Sequence, residues 1–161
     1  MLRITKILLT ACVATWCLLG AFGNLSDWDG TLGAVRAAAS MSTFEGGAAS
    51  WRATSSPVVI WIGALMIMLS KLAAGILCSV GTLQMWRARA GDESGFAAAK
   101  RTALAGCGVA MVMLFGGFIV IGETWFEMWR SDVLRDLSLQ TAFRYGGMIT
   151  LIALFVGSLE D

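Results

Sequence analysis

The sequence predicts an all-α integral membrane protein, a four-helix bundle with a short amphipathic helix in its first extracytoplasmic loop. Four long apolar stretches, roughly 7–23, 58–86, 102–122 and 145–159, are separated by short charged segments. About 20 predominantly apolar helical residues span the hydrocarbon core of a bilayer. The middle two stretches exceed that length and the outer two sit at its lower edge. The runs are continuous, whereas strands of a membrane barrel alternate apolar and polar residues over about 10 positions. Composition agrees: 57% hydrophobic, 14% charged and a mean hydropathy of +0.74, where a soluble domain carries about 25% charged residues. The 161 residues are filled by one membrane domain, with spans over about 5–23, 57–86, 102–125 and 143–159.

The first stretch follows Arg3 and Lys6. It reads either as a span or as a signal peptide, with a basic start, an apolar middle and Ala21-Phe22-Gly23 as a cleavage site. The uncleaved reading is preferred because a compact bundle needs a fourth helix to close it. The connection 24–56 is too long for a plain link. Leu32, Val35, Ala38 and Ala39 recur at helical spacing, which predicts the interfacial amphipathic helix at about 30–40. The second span opens on Ser55 or Ser56 as cap, with Pro57 at the first helical position, where its missing N–H costs nothing. Small residues line it at Ser70, Ala74, Cys78 and Thr82, and the third span at Gly106, Gly108 and Ala110; such rows let helix backbones approach closely in lipid. Trp125 and Trp129, four apart, predict that the third helix runs on to about residue 129, with both rings facing the first loop.

Arg87, Arg89, Lys100 and Arg101 make the 87–101 connection the most basic. The positive-inside rule then puts it, and both termini, in the cytoplasm.

A net charge of +1 with no Lys/Arg cluster gives no reason to expect nucleic acid as a partner. Histidine is absent, which disfavours haem, zinc and di-iron sites. Cys12, Cys17, Cys78 and Cys107 lie within spans and form no CxxC pair, so they read as packing residues. No catalytic set, metal site or cofactor is expected.

Residues 40–44 (Ser-Met-Ser-Thr-Phe), Trp51-Arg52-Ala53 with Pro57 beyond, the run 116–131 centred on Glu123, Trp125, Phe126, Met128 and Trp129, and Ala142-Phe143-Arg144 together resemble a bacterial family, domain of unknown function 2165. Its members are described only as predicted small integral membrane proteins. The likeness covers nearly the whole chain, and the segment around Glu123–Trp129 is its specific part. The resemblance implies four helices and a bacterial inner-membrane location, and implies no activity. Members tend to carry an acidic residue midway along the second helix, where this chain has Lys71, so no carboxylate role carries over there.

Lys71 is the one ionisable residue deep in a span. Intramembrane charge costs about 2.5–3.5 kcal/mol on insertion scales, so a partner is expected. Side chains lean toward their helix N-terminus. With the second and third helices antiparallel, Lys71 and Glu123 lean toward each other, and an intramembrane ion pair between them is the expectation. Arg52, Trp125, Glu127, Trp129, Arg130 and Arg144 form a second set, expected as an outer-face docking surface or a cap that holds loops together. The functional expectation is a non-catalytic accessory or stabilising component of a larger membrane assembly, whose partners are the lipid bilayer and a membrane complex or a second copy. The alternative is a small oligomeric channel or transporter using Lys71 and Glu123.

Overall fold

The computed structural model describes residues 1–158, with Leu137 described in its backbone alone. Among these residues all regular structure is helical. In chain order it runs α1 (Leu2–Ser26), α2 (Trp28–Ala39), α3 (Pro57–Ala88), α4 (Glu93–Met111) with a π-helical continuation Val112–Trp125, the short α5 (Asp132–Leu134), a π-helical turn Arg135–Leu139, and α6 (Gln140–Gly157). Three of these rods are long and apolar enough to cross a membrane: Leu2–Ser26, Pro57–Ala88 and Glu93–Trp125. At 1.5 Å per residue, the 25 residues of α1 and 32 of α3 measure about 38 and 48 Å, more than the roughly 30 Å hydrocarbon core. The 18-residue α6 opens on Gln140 and Arg144, which lowers its apolar character. The expected end of the fourth span, residue 159, lies outside the described residues.

Helix boundaries follow local chemistry. Pro57 takes the first position of α3 behind Ser56. Asp92 caps α4, accepting from Gly95 N at 3.2 Å and from the Ser94 hydroxyl. The 87–101 segment, expected as a loop, is therefore mostly helix: α3 runs to Ala88 and α4 starts at Glu93. Phe96, Ala99 and Ala103 bury there against Ile7, Met85 and Val156, and this packing draws the helix out past the apolar stretch.

α3 packs most extensively on α4 and α1; α6 rests on α4, its π continuation and α1. Small residues set the α3–α4 contact. A Cβ on Gly106 would lie 2.6 Å from Cys78 Sγ and 2.8 Å from Cys78 N, and one on Gly81 would meet the Ala103 backbone at 2.5 Å. Glycine there lets the two backbones approach, the device expected where lipid supplies no hydrophobic drive. Cys17, Cys78 and Cys107 are buried with Ala74 and Ala110 in the central cluster, and all four cysteines are free thiols.

The third rod ends sooner than the tryptophan spacing predicts. Its π segment closes with Phe126 N donating to Ile121 O at 3.0 Å. Glu127 then takes a left-handed backbone (φ 50°), and a separate 3₁₀ turn covers Met128–Arg130. Helical spacing of Trp125 and Trp129 cannot survive a left-handed residue between them.

Candidate functional site

Lys71 does not pair with Glu123. Its Nζ donates to Asn24 Oδ1 of α1 at 3.2 Å, and among the described residues Glu123 makes no ion pair. Helix rotation explains the correction. Lys71 and Gly75, four apart, share one face of α3, and Gly75 lies against Leu18 of α1. Ala74, Cys78 and Gly81 occupy the face turned to α4, where Gly106 and Ala103 approach. The aliphatic stem of Lys71 crosses Gly20 (3.2 Å from its ideal Cβ to Lys71 Cδ), so the ammonium travels along α1 toward Asn24. The lean toward the N-terminus of α3 is as expected; the helix that receives it is α1.

The second set is partly assembled. The Glu127 carboxylate receives Arg52 on one oxygen and Arg130 Nη1 on the other at 3.0 Å. Arg52 and Glu127 side chains are only 21% and 23% exposed. Arg130 also donates to Glu45 O at 3.2 Å and lies 4.6 Å over the Phe44 ring. Trp125 meets Trp51 edge to face, centroids 5.5 Å apart. The 40–56 segment is thereby pinned to the turn that ends the third rod. The two guanidinium groups hold the Glu127 carboxyl below the usual glutamate range, hydrogen bonding from Arg52 first and Arg130 second. Trp129 is exposed, and Arg144 faces its own neighbour Tyr145 at 5.5 Å, so neither joins this cluster.

Glu123 lies elsewhere, in a groove of about 750 Å³ between the π segment and α6. Phe115, Ile119, Phe143 and Leu139 give the groove its apolar walls, and Gly146 and Gly147 its shallow side.

The family described as predicted small integral membrane protein, domain of unknown function 2165, matches residues 2–158. The chain belongs to this family. No curated protein and no solved structure matches it. This member of domain of unknown function 2165 is accordingly an integral membrane protein, and the family description carries no activity to transfer.

At the end of the molecule away from α2, sequence reasoning missed a basic site. Lys6 is fully buried and Lys100 nearly so, and both ammonium groups donate to Ser158 O, at 3.1 and 2.9 Å. The carbonyls at a helix C-terminus attract cations, and Ser158 O at the end of α6 is one partner of each lysine. Arg3 reaches the neighbouring turn, donating to Gly91 O at 2.8 Å and resting 4.9 Å over Phe96. The available signal was the spacing of Phe96, Lys100 and Ala103, which places Lys100 on the buried face of a helix.

Proposed function

We propose that this member of domain of unknown function 2165 is a non-catalytic accessory or stabilising component of a larger bacterial inner-membrane assembly, with both termini cytoplasmic and α6 as a fourth span. The groove between the π segment and α6 supports this reading best. Helices associate in lipid through close packing and polar contacts, since burying apolar surface gains little there. The groove offers both. Gly146 and Gly147 permit close approach, and Glu123 supplies a carboxylate with no ion-pair partner among the described residues. A transmembrane helix carrying a hydrogen-bond donor or a cation at the level of Glu123 is the matching partner.

A photo-crosslinking residue placed at Phe143, in the groove, should yield one discrete protein adduct in native membranes. The same residue at Leu69, exposed on α3, should yield none. Gly147→Leu should abolish a large complex on blue native electrophoresis; a Cβ at Gly147 meets nothing within 4 Å, so the fold tolerates the change. A discrete homo-oligomer would favour the channel reading instead, and a bare monomer without protein adducts would overturn both.

A further inference from the structure

A second recess opens at the end of the molecule that carries α2. It is an open recess of about 580 Å³, and its polar lining is Arg36, itself exposed, with the hydroxyl residues Ser40, Ser42, Thr54 and Ser55. Arg36 is its one charged lining residue, and no carboxylate lines it. The Arg36 guanidinium makes no ion pair among the described residues.

The walls are held in place by the chain itself. Thr54 N donates to Ala39 O at 2.8 Å, closing the loop onto the end of α2. Ser40 and Ser42 hydroxyls lie 2.9 Å apart. Met41 between them is fully buried with a left-handed backbone (φ 51°), and Arg52 ties the same loop to Glu127. The hydroxyl wall, fixed before a ligand arrives, loses little entropy on binding it, while Arg36 is exposed and orders when it binds.

From this we propose an oxyanion-binding site at Arg36, taking a phosphate group. Guanidinium presents a rigid fork of donors matched to phosphate oxygens, and hydroxyls donate to the oxygens that remain. One effect opposes binding: α2 ends at Ala39, beside the recess, and a helix C-terminus carries roughly half a negative charge. The full charge of Arg36, in the last turn of α2, exceeds it.

The depth of the recess puts it within reach of two sources of phosphate. Val35 of α2 packs on Gly63 of α3, and Trp28 meets Trp61 at a tilt, with centroids 5.4 Å apart. The recess therefore lies level with the first turns of a spanning helix, the level of lipid headgroups. A phospholipid phosphate and a dissolved phosphate share the same chemistry there. The proposal is independent of the groove and of any protein partner.

The test uses the full chain in maltoside micelles at constant ionic strength. Inorganic phosphate is titrated against thermal unfolding, and phosphatidylglycerol adducts are followed by native mass spectrometry. Saturable stabilisation by inorganic phosphate identifies a dissolved oxyanion. Phosphatidylglycerol adducts without phosphate stabilisation identify a headgroup. In either case Arg36→Gln should weaken binding about tenfold or more, the loss of a charge-assisted bidentate contact. Ser55→Leu, at an exposed residue on the rim, should block entry and provides the same readout if Arg36→Gln fails to fold. The proposal is overturned if neither ligand binds, or if Arg36→Gln or Ser55→Leu, once folded, binds both ligands as tightly as the unaltered chain.

Discussion

Lys71, midway along α3, donates to Asn24 near the end of α1 at 3.2 Å, with its stem lying across Gly20. An ammonium inside a span is retained by an uncharged amide, so the pair carries a net positive charge. Asn24→Leu should destabilise by about 1–2 kcal/mol, since it removes the acceptor and leaves the charge. Lys71→Met should be milder, because it removes the charge together with its need for a partner. The double variant should be no worse than Lys71→Met alone. Unfolding midpoints in detergent decide it; strictly additive singles would show that the contact contributes nothing.

Gly106→Val should damage the α3–α4 contact. Its side chain would press on Cys78 N, which is backbone and cannot swing away. Overpacking of this kind costs typically 1–3 kcal/mol, and here it forces two helices apart. Gly108→Val is the matched control, because a Cβ at Gly108 meets nothing within 4 Å. Equal thermal stability of the two variants would contradict the packing described.

The Arg52–Glu127–Arg130 cluster makes the loop at the α2 end sensitive to acid. Glu127 is held below the usual glutamate value of 4.5, so it binds protons less readily folded than unfolded. Its contribution is fully present above about pH 4.5 and fades as the pH falls through the lower folded value. Acid should therefore release the 40–56 segment and separate Trp51 from Trp125, changing tryptophan fluorescence below pH 4.5. Glu127→Gln should remove that acid transition. A transition unchanged in Glu127→Gln would assign it to another carboxylate.

Topology is open to a direct reporter experiment. Alkaline phosphatase fused after Asp136 should be active, and fused after Asp92 inactive, if the basic turn between α3 and α4 is cytoplasmic. The opposite pattern would invert the orientation proposed above.

The sequence by itself determined the long apolar rods, the start of α3 at Pro57 behind Ser56, and the membrane character of the chain. Each depends on residues adjacent along the chain: enough consecutive apolar side chains, and a proline where no N–H is needed; Ser56 precedes it, but its hydroxyl makes no capping hydrogen bond. A helix also runs over Trp28–Ala39, close to the 30–40 expected from the spacing of Leu32, Val35 and Ala38. Only the tertiary structure decided that Lys71 meets Asn24 and leaves Glu123 in a separate groove. Hydropathy fixes where a helix runs but not its rotation about its axis, and rotation is set by where glycines let backbones meet, at Gly75, Gly81 and Gly106. Tertiary structure likewise decided that the third rod stops at Trp125, since Glu127 turns left-handed where Arg52 and Arg130 converge on its carboxylate. The burial of Lys6 and Lys100 at Ser158 belongs with these, because residues 6, 100 and 158 become neighbours only when three helix ends pack together.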